Sequence, residues 1–204
     1  MFDAAWKRSW PEVTPVAHLL RSRFPSRWVR FHSLPEAKRY ATTDVEHAEI
    51  LHRHRTVLAA LTEQAEQQAE QQPEQQAEPE TVRLVAVTCS WSESPRPVPR
   101  DMAVAGATPD AYYWRSDDLA TEPGFESWQH HYVSDTTLAS PELDQLLMAV
   151  ADDMTAGVLI VAADLSWLYH PYDGGADAIT GTAAARDRLA ATFARWQSPG
   201  LSGL

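Results

Sequence analysis

The chain of 204 residues has one cysteine and no long apolar run. Cys89 cannot close an intramolecular disulfide by itself, so packing rather than crosslinks must hold the fold, and a reducing compartment is the natural setting. It lies in the apolar run VRLVAVTCSW and reads as a small core residue, not a nucleophile. Nothing approaches the roughly 18 apolar residues of a membrane span, and MFDAAWKRSWPEV lacks the apolar stretch of a secretion signal. A soluble, cytoplasmic protein with no membrane partner is expected.

Positive charge is also scarce. With 17 Lys and Arg against 28 Asp and Glu the formal charge is −11, which argues against a nucleic-acid partner because phosphates would be repelled. No Walker loop, dinucleotide fingerprint, nucleophile elbow or paired-cysteine metal site occurs, so no metal or cofactor is expected.

What is present suffices for a core: a chain of this length buries about 70% of its unfolded surface. The charge is unevenly spread. Residues 1–55 carry ten Lys and Arg against six acids, together with five of the eight histidines. Residues 63–80 carry six glutamates and no base, and residues 81–204 carry seven Arg against sixteen acids. The simplest use of such polarity is internal, the basic segment lying against the acidic one.

The segment TEQAEQQAEQQPEQQAEPE, 62–80, offers nothing to a core and reads as a solvated linker whose first half continues the preceding helix until Pro73. Before it, TPVAHLLRSRF predicts a helix capped by Thr14 with Pro15 at its first position, then a strand RWVRFH. Ser33 with Glu36, and Thr43 with Glu46, have capping-box spacing; the second box opens the longest helix, about 44–62, with Leu51, Leu58 and Leu61 on one side and His47 and His54 facing the same stripe.

After the linker come three strands, TVRLVAVTCSW, AYYWRS and WQHHYVSDT. The clearest helix follows in SPELDQLLMAVADDMTAG: Ser140 caps, Pro141 takes the first position, Leu143, Leu146, Leu147, Val150 and Met154 form the apolar stripe, and Gly157 ends it. GVLIVAADLSWLYH and ADAI supply the last strands, joined by an Asp-Gly-Gly turn, and TAAARDRLAATFARW the last helix, anchored by Leu189, Phe193 and Trp196. The order predicts a single α+β domain, an antiparallel or mixed sheet with helices packed mainly on one face. Its blocks are 1–62, the linker 63–80, and 81–204 packed with the first.

Three constellations could carry chemistry. In WLYHPYDGGADAI, His170, Tyr172 and Asp173, with Asp177 behind them, supply a base, a hydroxyl and an orienting carboxylate, although Asp followed by Gly between alternating runs is first of all a hairpin signal. HAEILHRH has histidine spacings of five and two rather than the four of a zinc-protease helix, so satisfied histidines are expected there. RFHSLPEAKRY gathers Arg30, His32, Lys38 and Arg39 around a predicted helix start, where free amides and the helix dipole favour an anion. The eight tryptophans read mainly as core or half-buried sheet residues, any exposed one marking a partner surface.

Two blocks, RWVRFHSLPEAKRYATTDVEHAEILHRHRTVL and LSWLYHPYDGGADAITGTAAARDRLAATFARWQSPGL, resemble actinobacterial proteins of the bacterial domain of unknown function 3885. The second carries the likeness: an aromatic strand, a Tyr-Asp-Gly-Gly turn, an Asp-x-Ile strand, and a helix ending at tryptophan. After that tryptophan the chain reads QSPGL where Leu-Ser is expected. The resemblance implies a bacterial, cytoplasmic setting and brings no function with it.

Two functions follow from the residues. One is a non-enzymatic acidic module, of the immunity or accessory-factor type, that docks on a basic partner protein. The other is an enzyme or binder acting on a small anionic, phosphorylated ligand, with Arg30, His32, Lys38 and Arg39 for charge and His170 with Asp173 for proton transfer. A scaffold role without a discrete site is the third. What divides them is whether segments 27–40 and 167–177 share a cleft.

Overall fold

The computed structural model describes residues 2–70, 82–120 and 127–197. Six helices and seven strands are found among them: α1 (Phe2–Ser9), α2 (Ala17–Arg23), β1 (Trp28–His32), α3 (Asp44–Glu70), β2 (Arg83–Ser92), α4 (Met102–Ala107), β3 (Tyr112–Asp118), β4 (Trp128–Thr137), α5 (Pro141–Ala151), β5 (Leu159–Ala162), β6 (Leu168–Tyr172), β7 (Gly175–Ile179) and α6 (Ala183–Thr192). The strands form one sheet in the order β1-β7-β6-β5-β2-β4-β3, every neighbouring pair antiparallel. The α+β architecture is that expected, with the sheet wholly antiparallel.

Both faces of the sheet are covered, which explains why β2 reads as a continuous apolar run. Leu84 and Ala86 point to the face packed by α3, α4, α5 and α6, among Val57, Leu58, Val104, Leu147 and Leu189. Val85 and Val87 point to the other face, against Trp6 of α1, Trp10, and Ala17 and Leu20 of α2. Helices therefore lie mainly on one face, with two short ones on the other.

Helix α5 follows its sequence signals closely at the start. The Ser140 hydroxyl accepts from the Leu143 amide at 3.3 Å and Pro141 occupies the first position. Leu143, Leu146, Leu147 and Val150 are buried, each such side chain contributing roughly 1.5–3 kcal/mol. The helix stops at Ala151, earlier than Gly157 suggested, and Met154 lies outside it, exposed. Asp153 (φ 57°) and Gly157 (φ 68°) carry the chain through left-handed conformations into β5.

Four other expectations are corrected. Helix α2 starts at Ala17 after Val16, with no side-chain cap, so Thr14 and Pro15 precede it. Ser33 and Glu36 form no capping box, because Pro35–Ala37 is a single 3-10 turn and Glu36 itself has φ 56°. The Ser33 amide instead donates to the Gly174 carbonyl and its hydroxyl contacts His54 Nε2 at 3.3 Å. The bound of α3 moves from about 62 to Glu70, the first part of the glutamine-rich segment continuing the helix as its composition led one to expect; the rest of that segment, with Pro73, lies outside the described residues, as does the chain end after Gln197. Finally, the α3 histidines part company: His54 is buried, while His47 is half-exposed and pairs with Asp152 at 3.1 Å.

Thr43 and Glu46 keep half of their box. The Glu46 amide donates to Thr43 Oγ1 at 3.3 Å, but the Glu46 carboxylate takes the Thr42 amide at 2.7 Å and Lys38 at 2.5 Å. Lys38 and the Thr42 amide hold that carboxyl down to about 2.

Candidate functional site

The Asp-Gly-Gly motif makes the hairpin its sequence announces. Tyr172 faces Gly175 across the β6–β7 pair, and Asp173 and Gly174 form the turn, Gly174 at φ 97°. Strand β1 then pairs with the far edge of β7, so that Arg30 stands opposite Asp177 and Asp177 stands opposite His170. The basic N-terminal block and the C-terminal hairpin do meet.

They meet as ion pairs. Arg30 donates from Nε to Asp177 Oδ1 at 2.8 Å and from Nη2 to Oδ2 at 3.0 Å, and its guanidinium lies over the Tyr172 ring at 5.1 Å. Arg39 donates to Asp173 Oδ2 at 2.6 Å and Tyr40 donates to the same oxygen at 2.7 Å. Burial opposes ionisation of Asp173, yet these two donors hold its carboxyl below the usual range. Arg55 pairs in the same bidentate manner with Asp144 of α5, at 2.6 and 2.7 Å. The polarity of the sequence is thus used internally, base against acid.

Strand alternation places Arg30, Asp177, His170 and Tyr172 on the face that carries α1 and α2, opposite Phe31, Ala176 and Tyr169. On this face lies a cleft of about 350 Å³. His170, Tyr172 and Asp173 line one side of it, His18 of α2 another, and Trp91 of β2 and Gln129 of β4 a third; Leu119 and the segment from Asp153 through Thr155, Ala156 and Gly157 complete it. Residues from His18 to Asp173, far apart along the chain, therefore build one concavity.

The chemistry of His170 is set by its surroundings. It is buried, and burial pushes its pKa down, so the ring is held neutral. Its Nδ1 lies 2.9 Å from the Val158 carbonyl, which can only accept; Nδ1 therefore carries the proton and Nε2 the lone pair. Tyr172, whose ring centre is 5.9 Å from that of His170, is raised by burial well above the ordinary phenol value and keeps its hydroxyl hydrogen.

At the cleft wall Gly157 closes onto its neighbours. A Cβ there would lie 2.7 Å from Cys89 Sγ and 2.7 Å from Gln129 Nε2, so only glycine fits. Cys89 donates to the Ala156 carbonyl at 3.2 Å and accepts from Gln129 Nε2 at 3.1 Å. Burial drives its thiol up to about 12, so it is an inert structural group. Two lining residues carry buried oxygens without a hydrogen-bond partner among the described residues: Gln129 Oε1 and Thr155 Oγ1.

The sequence-derived candidates thus divide. His170, Tyr172 and Asp173 line the cleft, whereas Arg30, His32, Lys38 and Arg39 do not. Arg30 and Arg39 stand behind it, held by Asp177 and Asp173; Lys38 is turned to Glu46 and Thr42. His32, lowered by burial and by Arg30 and Arg53, presents its carbonyl to Arg53 at 3.0 Å. The helix N-terminus that was to favour an anion is the 3-10 turn. His18, Gln129, Thr155 and Gly157 were not among the sequence candidates, and only Gly157, as a chain-reversing glycine, left a signal. No group of three or more His, Cys, Asp or Glu that could hold a metal ion occurs among the described residues, and no helix of the described residues is long and apolar enough to cross a membrane.

Comparison with curated proteins and with solved structures finds no match. The family model described as Domain of unknown function (DUF3885) matches residues 16–199, which takes in all seven strands and every helix but α1, and the chain belongs to that family.

Proposed function

We propose that the chain is a binding module rather than a catalyst, and that the cleft beside α2 holds a small ligand. The observation that carries this reading is an apolar recess lined by a neutral histidine that keeps a lone pair on Nε2, beside Gln129 and Thr155, each holding a buried oxygen without a partner among the described residues. Buried polar atoms are ordinarily satisfied, and a recess with a few convergent polar groups is the usual form of a small-molecule site. No serine, threonine or cysteine hydroxyl or thiol is hydrogen-bonded to His170 among the described contacts, which supports holding over covalent chemistry. A thermal-shift screen of small metabolites tests the reading: hits should stabilise the wild type and lose that effect in His170→Phe, and a screen without any such hit rejects it.

The anionic, phosphorylated ligand is the less supported occupant. It would have to displace Asp177 from Arg30 and Asp173 from Arg39, exchanging one anion for another at each.

A second reading, an acidic module docking on a basic partner protein, draws on a different observation. The charge is −11, and Tyr112 and Tyr113 are exposed on the edge strand β3, with Asp135 near Tyr112. Affinity purification from the native host should recover one basic protein, released by salt and lost in Tyr112→Ala/Tyr113→Ala. Recovery unaffected by that double substitution would count against it.

A further inference from the structure

Away from the cleft, we infer that Ser116 is a reactive serine that takes an acyl group from an activated ester, with His130 as its base and Ser92 as the residue that positions that base. The three side chains come from adjacent strands. Ser116 of β3 stands opposite His130 of β4, which stands opposite Ser90 of β2, and Ser92 lies two residues further along β2 on the same face. Alternation along β2 makes this the face of Leu84 and Ala86, whereas Trp91 and Gln129 of the cleft lie on the other.

His130 is fully buried and bridges the two hydroxyls: its Nδ1 lies 2.6 Å from Ser116 Oγ and its Nε2 2.8 Å from Ser92 Oγ. Burial and the neighbouring His131 lower its pKa, so the ring is neutral and holds one nitrogen-bound proton. The Ser94 carbonyl, 2.9 Å from Ser92 Oγ, can only accept. For a neutral ring one arrangement of hydrogens fills all of these contacts: Ser92 donates to that carbonyl and accepts from Nε2, and Nδ1 keeps the lone pair that takes the Ser116 hydrogen. The Ser116 hydroxyl is thus aimed at a base whose other nitrogen is anchored, through Ser92, to the main chain. Hydroxyl, base and orienting group joined in that order are the arrangement that activates a nucleophile.

The relay is braced on one side and reaches the surface on the other. The Val98 carbonyl accepts from the Ser90 hydroxyl at 2.6 Å and from the Tyr132 hydroxyl at 2.7 Å, which pins the segment after β2 to the sheet beside His130. Ser116 is half-buried on the outermost strand β3, with Tyr113 beside it 44% exposed. The Tyr113 hydroxyl lies 2.9 Å from Ser116 Oγ and, the serine hydrogen being spent on His130, donates there; a weaker contact at 3.5 Å joins Ser116 Oγ to the Pro95 carbonyl. An acyl carbonyl arriving at Oγ meets the same Tyr113 O–H, a donor for the negative charge that develops on its oxygen.

In the step itself Ser116 Oγ bonds to the acyl carbon while His130 Nδ1 takes the hydroxyl proton. The bond from that carbon to the ester oxygen then breaks, and the proton passes from His130 to the departing oxygen. The products are an ester on Ser116 and a free alcohol. The step ends there, one acyl group per chain, as a modification of the protein and not as turnover.

The full chain is incubated with p-nitrophenyl acetate, nitrophenol release is followed, and the acetylated position is mapped by peptide mass. One acetyl group per chain is expected, on Ser116, with one equivalent of nitrophenol. Ser116→Ala should abolish it. His130→Gln should slow it about a hundredfold, and Ser92→Ala about tenfold, with Ser92→Thr, which restores the hydroxyl, returning the rate close to wild type. Melting curves identify a variant that fails to fold, and Ser116→Ala, at a half-buried edge position, keeps the test decisive if His130→Gln does so.

Acetyl groups spread over Lys7, Lys38 and the tyrosines at the rate of the urea-unfolded chain overturn the inference, as does acetylation of Ser116 at an unchanged rate in a folded His130→Gln. Nitrophenol release beyond one equivalent that Ser116→Ala removes overturns the limit to a single modification. The cleft lies on the other face of the sheet and has its own screen, so neither reading falls with the other.

Discussion

Arg30 of β1 and Asp177 of β7 lie opposite each other in register and are joined by two hydrogen bonds of 2.8 and 3.0 Å, with 13% and 4% of their side chains exposed. This pair ties the N-terminal block to the C-terminal hairpin at an edge of the sheet. Removing Arg30 leaves the buried Asp177 carboxylate without this pairing. Arg30→Ala should therefore lower the free energy of unfolding by roughly 3–5 kcal/mol in urea denaturation, and Arg30→Met with Asp177→Leu should recover most of it. A single substitution that costs under about 0.5 kcal/mol would show the pair to be dispensable.

Stability should fall in acid over a window set by buried histidine. His54 is enclosed by Tyr169 at 2.6 Å and Ser33 at 3.3 Å, and burial lowers its pKa to about 4. The unfolded chain, with an ordinary value near 6.5, takes up that proton first. The contribution is therefore intact above about pH 6.5 and is lost as pH falls toward 4, amounting to roughly 3 kcal/mol. His170, lowered by burial too, acts in the same direction. Denaturation midpoints measured from pH 7.5 to 4 should drop across this interval, and His54→Gln should flatten the curve; an unchanged slope in the variant would exclude His54 as the source.

Gly175→Ala should be strongly destabilising although glycine and alanine differ by one methyl. A Cβ at this position would lie 2.4 Å from the Phe31 carbonyl oxygen and 2.7 Å from the Tyr172 hydroxyl, and the first of these is backbone of the paired strand β1. The expected loss is on the order of 2 kcal/mol or more, seen as a lower melting temperature. Alanine at Gly106, where a Cβ meets nothing within 4 Å, should be neutral or slightly stabilising inside α4 and serves as the control.

Cys89 should ignore thiol reagents in the native state. It is buried, bonded to the Ala156 carbonyl and Gln129, and its thiol is pushed up to about 12. Reaction with a disulfide reagent should follow global unfolding in denaturant, one thiol per chain. Rapid labelling without denaturant would place the Ala156–Gly157 segment among the opening parts of the molecule.

Where local chemistry was strong, the fold was legible from residue order alone. Helix α5 has its cap, its proline and its apolar stripe within a dozen residues, and the β6–β7 hairpin rests on a turn that only glycine makes easily. Short elements were not legible. Helix α1 was not expected, and it is fixed by contacts from afar: Trp6 packs against Trp114 of β3 at 5.4 Å, and Asp3 accepts from the Trp114 indole at 3.1 Å. Helix α4, MAVAGA, is six residues long with no distinct period.

The candidate site divides in the same way. Apolar alternation, turn residues and charge asymmetry determined a single α+β sheet protein whose basic and acidic parts would meet, because these signals act over a few residues or sum over whole segments. Which base meets which acid was decided by tertiary register: the β1–β7 pairing sets Arg30 against Asp177 and takes Ser33 to Gly174, so that the expected helix start and its anion site give way to a turn and a salt bridge. The cleft was decided there too. His18, Trp91, Gln129 and Gly157 become neighbours of His170 only when strands distant in sequence are laid side by side, and no spacing along the chain encodes that adjacency.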